Sequence, residues 1–356
     1  MTELRIEPKK LKTFGMDVLD QLGVPEEKAE ICIDAYLFGS LRGLDTHGLF
    51  ALLPRMVREI RAGMIDPTAD ISIVNRNSST LLVDARRGLG PVSGFQSMKE
   101  AIELCRQTGL GGVSTYNCNH FGAASFYGFQ AVREDFIGMT FGNATPRVAP
   151  YGGREGVHGT NPMSFVIPAG KHPPLAVDFA TSASSAGKIG QILKKGGTIP
   201  DGWALDRDGN PTTDPEKALE GILLPMAGHK GYGLGLIVDI LTGALAGSYC
   251  GKEVPPLKDL TTPYGCSSFM LVLDPACFAG IETFKKKVDG LIEDCITCPP
   301  MNGFKRVYYP GEMEAEEETK RTQNGIPFPE EIREKFFEGL SASNIKVSRD
   351  FSLLID

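Results

Sequence analysis

The most constraining feature of the sequence is an abrupt change of secondary-structure pattern around His120. Residues 111–115 form a short β-rich segment, and residues 126–133 have the pattern of a helix. His120 is therefore expected where a strand ends and a helix begins, and Gly122 allows a ligand or another stretch of backbone to come close. Because histidine exchanges a proton near neutral pH, this position suits either proton transfer or a structural hydrogen bond that caps the helix.

A second histidine precedes a predicted helix in the N-terminal part of the chain. Residues 8–41 have the pattern of two helices, and a further helix is predicted from about Leu49 to Ala62. Thr46 is a candidate N-cap for this helix, which would place His47 beside the positive end of the helix dipole. Such a position lowers the pKa of a histidine, although a role in the cap alone fits the local pattern equally well.

Short β-rich segments follow, separated by turns. Gly88–Gly94 superficially resembles a dinucleotide-binding glycine motif, but Pro91 interrupts it and no βαβ unit with a ribose-binding acid follows at the expected distance. We therefore interpret this segment as the approach to a helix over residues 96–108. The other predictions are strands at 71–74, 80–83, 137–142, 164–167, 175–177 and 269–273, a long loop-rich region at 188–214, and a short strand and turn at 304–312.

Two further segments suit a phosphate-bearing ligand. Asp178 closes an apolar strand and precedes small hydroxyl residues, which fits a ribose or a helix cap equally well. Glycines around Lys230 and Gly231 open the most apolar helix of the chain, which extends to about Leu245. The N–H groups and dipole of such a helix entrance can hold an anion together with the lysine, whereas close packing of a glycine-rich helix is the alternative explanation.

Composition argues against several classes of function. The 356 residues are 42% hydrophobic and 23% charged, as in ordinary globular proteins, and the net charge of −7 argues against nucleic acid as the main partner. The sequence shows no signal segment and no apolar run long enough to cross a membrane, so we expect a cytoplasmic protein with reduced cysteines. Cys295 and Cys298 lack a second pair of ligands, so no metal site is predicted.

Six short motifs occur together in an order that resembles the malate/L-lactate dehydrogenase family, which is unrelated to the Rossmann-type lactate dehydrogenases. The family includes malate, sulfolactate and ureidoglycolate dehydrogenases and reductases of diketogulonate and of cyclic imino acids. The resemblance extends from about residue 8 to residue 335. The motifs are Asp45–Gly48, Asn119–Gly122, Pro150–Gly153, Gly159–Pro162, Asp178–Ser182 and Lys230–Leu234.

The resemblance implies a sulfolactate dehydrogenase-like α/β fold with a mixed, largely antiparallel sheet, which explains the missing Rossmann motif. It also implies a homodimer that binds NAD or NADP and a small-molecule substrate. We expect a helical domain of residues 1–72 plus 318–356, contributing to the dimer and the substrate site, and a cofactor-binding domain of residues 73–317. The sequence holds no acid or arginine that decides between NAD and NADP.

The resemblance also assigns expected roles to individual residues. His120 corresponds to the general acid/base of the family. His47 lies beside the substrate together with Thr46, and the histidine matching it has the acid/base role in some members, so both histidines are expected to be catalytic. The cofactor contacts that the resemblance implies are His120, Ala144, Thr160, Asp178, Phe179, Ala180, Lys230, Gly231, Pro310, Gly311 and Glu312.

One position departs from the family pattern. Many members carry an arginine that grips the substrate carboxylate four residues after the histidine matching His47, and here that position is Ala51. A carboxylate in a closed site requires a fork-shaped cation. Arg55, one helical turn further along, and Arg147, in a loop after a predicted strand, are the candidates to replace it. The remaining alternative is a substrate without the usual carboxylate placement, which argues against simple malate or lactate activity.

These observations predict an oxidoreductase that transfers a hydride between NAD(P) and a small 2-hydroxy or 2-keto acid, of the malate, lactate or ureidoglycolate type. In this hypothesis His120 is the base and His47 orients the substrate oxygen. The alternative within enzymes is NAD(P)H-dependent reduction of the C=N bond of a cyclic imino acid. A thiol hydrolase using Cys118 with His120, and a binding protein without catalysis, are the alternatives from other classes. His158 and His172 are predicted to be surface or structural residues, and His229 is a possible neighbour of the cofactor.

Overall fold

A computed structural model describes residues 4–257 and 259–346 of the chain. The α-helices of this part are α1 (Pro8–Asp20), α2 (Glu26–Leu41), α3 (Leu49–Arg61), α4 (Gly90–Thr108), α5 (Ser125–Val132), α6 (Ala186–Lys194), α7 (Pro215–Glu220), α8 (His229–Asp239), α9 (Ile281–Ile296), α10 (Glu312–Asn324) and α11 (Glu330–Ser341). The strands are β1 (Arg5–Ile6), β2 (Ser72–Arg76), β3 (Thr80–Asp84), β4 (Leu110–Cys118), β5 (Ile137–Gly142), β6 (Pro162–Ile167), β7 (Leu175–Ala180), β8 (Ala204–Leu205), β9 (Ile222–Leu223), β10 (Cys266–Leu273) and β11 (Ile326–Pro327). No helix of the described part is long and apolar enough to cross a membrane.

The main sheet has seven strands in the order β2-β3-β4-β10-β5-β6-β7. Only the pair β3–β4 is parallel, and α4 makes the crossover that a parallel pair requires. The remaining neighbours in this sheet are antiparallel. The expected fold, a mixed and largely antiparallel sheet with helices, is therefore confirmed.

A helical layer packs beside the sheet and is built from both ends of the chain. Its core contains Leu11 of α1, Ile33 of α2, Leu53 of α3 and Phe336 of α11, all with at most 2% exposure. Burial of such side chains contributes roughly 1.5–3 kcal/mol each, so this core holds α11 against the N-terminal helices. The antiparallel pair β1–β11 adds a backbone connection between them. The proposed boundaries of the helical domain, 1–72 plus 318–356, stay a prediction.

Three local predictions are wrong. Helix α4 begins at Gly90 rather than residue 96, because Pro91 is compatible with a first helical turn. The predicted loop at 188–214 begins inside α6, whose first turn is capped by the Ser185 hydroxyl accepting from the N–H of Lys188 at 3.1 Å. Residues 304–309 form no strand; the backbone just beyond them contributes a single bond to the sheet edge, from the Ala176 N–H to the Pro310 carbonyl at 3.0 Å.

Candidate active site

Two histidines from distant parts of the chain meet face to face. His47 ends a short 3-10 turn, Asp45–His47, and His120 lies in the loop between β4 and α5. Their rings are stacked, with centroids 5.7 Å apart and an interplanar angle of 17°. Both side chains are partly exposed, so a small molecule can reach a site whose surroundings are buried.

The His47 turn is held by α10 rather than by a cap on its own helix. Arg321 of α10 donates from Nη1 to Asp45 Oδ1 at 2.6 Å and to the Ser40 carbonyl at 2.7 Å. The predicted N-cap at Thr46 is wrong: Gly48 occupies the cap position, and the Leu49 N–H donates to Ser40 Oγ at 2.9 Å. The Thr46 side chain is instead paired with His47, Oγ1 to Nδ1 at 3.1 Å.

The His120 loop is anchored on both sides of the histidine. Asn119 donates from Nδ2 to the carbonyls of Arg87 at 3.1 Å and Gly88 at 2.9 Å. Gly122 has a φ of 83°, in the left-handed region that favours glycine, and its N–H donates to His120 Nδ1 at 3.2 Å. The ring of His120 is thus oriented by its own loop.

Both imidazoles are held towards the neutral form. Burial lowers the pKa of His120 well below its ordinary value of 6.5, and the positive charges of Arg55 and His47 add to this. Burial also lowers the pKa of His47; the Asp178 carboxylate opposes this shift and Arg55 favours it. The lowered pKa expected for His47 is therefore confirmed, with burial as the largest cause among these.

Arg55 is the cation that the structure brings to the histidine pair. Its Nε donates to Glu59 Oε1 at 2.7 Å, one helical turn along α3. Its Nη2 is buried and has no hydrogen-bond partner within the described residues. An unpaired buried donor is costly, so an anion placed here gains a strong charge-assisted bond. Ala51, one turn earlier, is exposed and provides no polar group.

Arg147, the other candidate, has different surroundings. Its Nη2 donates to the Leu219 carbonyl of α7 at 3.3 Å. The charges that influence the two histidines include Arg55 and Asp178 and do not include Arg147. A role of Arg147 in binding the substrate stays a prediction that these contacts do not favour.

Asp178 lies between the histidine pair and the start of α5. Its Oδ2 accepts from the Ser125 N–H at 2.8 Å, and its negative charge acts on His47. Phe179 and Ala180 follow it in β7. Strand β7 therefore places the candidate cofactor contacts of residues 178–180 next to the two histidines.

A chain of backbone hydrogen bonds connects the end of β7 to the entrance of α8. Thr181 donates to the carbonyl of Thr160 at 2.9 Å, Met226 donates to Thr181 at 3.0 Å, and Gly231 donates to Met226 at 3.0 Å. Ala144 joins this group through Asn161, whose Oδ1 accepts its N–H at 3.1 Å. The predicted contacts at residues 144, 160, 178–180 and 230–231 thus belong to one connected part of the structure.

The segment from Pro310 to Glu312 reaches the other end of β7. The left-handed φ of Gly311, 91°, suits glycine, and an added Cβ would meet the Ala176 nitrogen at 2.8 Å. Arg42 fixes this turn: its Nη2 donates to the Gly311 carbonyl at 3.4 Å, while its guanidinium lies between the rings of Phe38 and Phe129, 5.2 and 4.8 Å from their centroids.

Sequence reasoning missed Arg42 and Arg321 as supports of the site. Arg42 also pairs with Glu318 at 2.6 Å, and Arg321 pairs with Asp45. Asp45 belongs to one of the motifs, but its side chain is half-exposed and Arg321 is the buried member of the pair, so the sequence contains no signal for this contact. Which arginine would meet it depends on the packing of α10, which no local pattern reveals.

The remaining histidines and the candidate thiol have structural surroundings. His158 is fully buried with Nδ1 2.8 Å from the Gly159 carbonyl, and His172 pairs with Glu293 at 2.7 Å. His229 stacks edgewise on Tyr151, 5.9 Å between centroids, beside Lys230.

Burial raises the pKa of Cys118 to about 12, which removes the thiolate that a hydrolase would need. Among the described residues no group of three or more potential ligands could hold a metal ion.

Comparison with known proteins gives whole-chain matches. The family model for malate/L-lactate dehydrogenase matches residues 6–336. The L-sulfolactate dehydrogenase of Methanocaldococcus jannaschii is 38% identical over 316 residues, 89% of this chain and 91% of the relative. The NAD(+)-dependent ureidoglycolate dehydrogenase of Escherichia coli K12 is 30% identical, over 92% of this chain and 94% of the relative.

Two further comparisons concern cofactor and fold. The NADP(+)-dependent (2R)-3-sulfolactate dehydrogenase of Chromohalobacter salexigens is 35% identical over 77% of this chain and 82% of the relative. The solved structure of sulfolactate dehydrogenase from M. jannaschii superposes with a TM-score of 0.89 at 36% identity, covering 96% of this chain and 98% of that one. The similarity therefore includes all elements of the site described above.

Proposed function

The chain belongs to the malate/L-lactate dehydrogenase family and is an NAD(P)-dependent oxidoreductase, and we propose that it interconverts a small 2-hydroxy acid and the matching 2-keto acid. One observation carries this proposal. Two stacked imidazoles, both with a lowered pKa, lie next to Arg55, whose buried Nη2 has no hydrogen-bond partner among the described residues. A 2-hydroxy acid offers a hydroxyl to the imidazoles and a carboxylate to the arginine.

The residues of this chain fit a dinucleotide. Lys230 is exposed at the first turn of α8 and makes no ion pair with the described residues, so its charge is available to a phosphate. Thr160 and Asp178 lie along the path that joins this helix to the histidines, and Gly311 lies at the other end of β7. We propose all three as contacts of the cofactor. Bound NAD or NADP accepts the hydride in oxidation and supplies it in reduction.

We propose that His120 handles the proton. In oxidation His120, as the tautomer with its proton on Nδ1, accepts the proton of the substrate hydroxyl at Nε2, and in reduction the imidazolium returns it. The lowered pKa keeps the ring neutral at pH 7, which is the form that accepts. His47, supported by Thr46, orients the same oxygen from the neighbouring ring.

The hydrogen bond from the Gly122 N–H to His120 supports a second assignment, in which His47 rather than His120 is the base. It occupies Nδ1 of His120, so the neutral ring carries its proton on Nε2 and donates there. To accept a proton, His120 must give up this bond, which is worth about 1 kcal/mol. His47 can donate from Nδ1 to the Thr46 hydroxyl and keep Nε2 free without such a cost. The pH profiles of single variants at the two positions distinguish the assignments.

We propose that Arg55 holds the substrate carboxylate, the role that an arginine at the position of Ala51 has in many family members. Arg55 lies on the same face of α3 as Ala51, and its charge lowers the pKa of both histidines. Glu59 holds Nε and leaves Nη2 for the substrate.

The test is a substrate panel followed by absorbance of NADH and NADPH. The panel contains 2-keto acids, the corresponding 2-hydroxy acids, and Δ1-piperideine-2-carboxylate to represent the C=N alternative. Turnover of 2-keto or 2-hydroxy acids supports the proposal. Turnover of the cyclic imino acid alone moves the assignment to the alternative, and cofactor binding without any turnover indicates a binding protein.

We also propose a homodimer located in the cytoplasm. The support for a dimer is an exposed apolar surface at the end of α8 and just beyond it, where Ile237, Ile240 and Leu245 are 50–59% exposed. Sedimentation of the purified chain measures the oligomeric state. A monomer at micromolar concentration would contradict the proposal.

A further inference from the structure

Asp239, the last residue of α8, is a buried acid to which no role has been assigned above. The residue is 5% exposed, and among the described residues its hydrogen-bond donors are three uncharged N–H groups. Its Oδ2 accepts from Asn161 Nδ2 at 3.0 Å, while its Oδ1 accepts from the Gly251 N–H at 3.2 Å and from Asn143 Nδ2 at 3.4 Å. A buried carboxylate without a cationic partner is a costly way to fill space, which points to a role other than packing.

Asn161 connects Asp239 to the loop that follows β5. Its Nδ2 donates to the Gly235 carbonyl of α8 at 2.8 Å as well as to Asp239, and its Oδ1 accepts from the Ala144 N–H at 3.1 Å. Only one orientation of the amide satisfies these three partners. Because Asp239 accepts from Nδ2, it fixes Oδ1 in the direction of Ala144.

Asn143, in the same loop, is held between β10 and the end of α8. Its Oδ1 accepts from the Ser267 N–H of β10 at 2.7 Å. Helix α8 continues into a π-helical turn, Ile240–Ala244, and a Cβ added to Gly243 of this turn would lie 3.0 Å from Asn143 Nδ2. Turns of this type are frequent at functional sites. Asp239 and the turn after it therefore hold the loop of residues 143–144 against α8.

We propose that Asp239 is a positioning residue of the cofactor site, whose carboxylate fixes the loop of Ala144 relative to α8. The inference rests on the proposed function, in which Thr160 and Lys230 are contacts of the cofactor, and on the contact expected at Ala144. Thr160 directly precedes Asn161, and Lys230 lies in the first turn of α8. The network of Asp239 keeps these groups at a fixed separation, so that one dinucleotide meets all of them at once.

The test is the Kd of NADH and NADPH, measured by fluorescence titration together with the free energy of unfolding. Asp239→Asn keeps the shape of the side chain and turns one oxygen into a donor, which then faces a donor of Asn161, Asn143 or Gly251. We expect the Kd of the cofactor that the wild type prefers to rise about tenfold or more, as for a lost charged hydrogen bond. The double variant Asp239→Asn/Asn161→Asp exchanges donor and acceptor, so most of the affinity should return.

Asp289→Asn is the matched control. Asp289 of α9 is 8% exposed and accepts from the N–H groups of Gly170 and Lys171, which are not among the proposed cofactor contacts. We expect this variant to lose stability with an unchanged Kd. A purely structural role of Asp239 would give the same result for Asp239→Asn.

Each other outcome has a defined meaning. A folded Asp239→Asn protein with the wild-type Kd, or a double variant that binds no more tightly than Asp239→Asn, overturns the inference and leaves the proposed function intact. If Asp239→Asn does not fold, Asn161→Ser takes its place, because it keeps the carboxylate and removes the link to Ala144; a wild-type Kd then overturns the inference. A raised Kd without turnover of any 2-keto or 2-hydroxy acid supports the inference while the proposed function fails. A wild type that binds neither cofactor overturns both.

Discussion

Gly90, in the first turn of α4, lies directly against the backbone carbonyl of His120. A Cβ added to Gly90 would be 2.2 Å from that oxygen. The glycine-rich segment that imitates a dinucleotide motif therefore has another purpose: it allows α4 to support the loop that carries the proposed base.

We expect Gly90→Ala to displace this loop. Overpacking of this kind costs typically 1–3 kcal/mol, and activity should fall together with stability. Chemical unfolding and turnover measure both effects. Gly290→Ala in α9 is the control: its Cβ would meet no atom within 4 Å, and it should stabilise the protein by roughly 0.5–1 kcal/mol. A Gly90→Ala variant with normal stability and turnover would show that the close approach is unimportant.

His120→Ala should lower turnover by ~10²–10⁴, or about 3–5.5 kcal/mol of barrier, because general base catalysis is lost. The measurement is kcat at saturating cofactor and substrate. His172→Ala, which breaks the pair with Glu293 and a ring contact with Tyr309, should keep normal kcat because His172 does not face the two catalytic histidines. Near-full turnover of His120→Ala would exclude this residue as the base and favour His47.

The stability of the protein should fall as the pH drops below 6.5, the ordinary pKa of histidine. Above that value both histidines are neutral in the folded and unfolded chain. Below it the unfolded chain binds protons that the folded protein resists, because the pKa of both rings is lowered. The free energy of unfolding at about pH 7.5 and pH 5.5 measures the effect. In the double variant His47→Gln/His120→Gln the difference between the two pH values should shrink; an unchanged difference would contradict the prediction.

Lys230→Ala should weaken binding of NADH or NADPH by roughly 1.5–3 kcal/mol, as expected for a lost charged hydrogen bond. Fluorescence titration of the reduced cofactor measures the Kd. Lys286→Ala, on α9 away from the α8 entrance, is the matched control. Equal affinities of the wild type and the Lys230→Ala variant would remove the lysine from the proposed phosphate site.

Arg55→Lys should raise the KM for the 2-keto acid by about tenfold or more, because an ammonium group cannot bind Glu59 and a carboxylate with the planar fork of arginine. The substitution keeps the charge beside Glu59, which is only 8% exposed, and so avoids a buried unpaired carboxylate. Cofactor affinity should not change. Arg147→Lys serves as the comparison, and an effect confined to that variant would transfer the role to Arg147.

Local patterns predicted the helices and strands best where the pattern was long and periodic. The helix from Leu49 and the strand over 137–142 were confirmed, since both are encoded by neighbouring residues. The predicted start of α4 was wrong, and α6 was predicted as part of a loop. Glycine and proline near a helix end do not exclude a helix when tertiary contacts or a cap support it.

The sequence by itself determined the chemistry that is present: imidazoles beside glycines, an acid closing a strand, a lysine at a helix entrance, and the family to which these motifs point. Only the tertiary structure decided which groups meet. It stacks His47 on His120, brings Arg55 rather than Arg147 to the pair, and inserts β10 between β4 and β5. These contacts join residues far apart in the chain, and their free energy comes from burial and pairing in the assembled core, which no local segment contains.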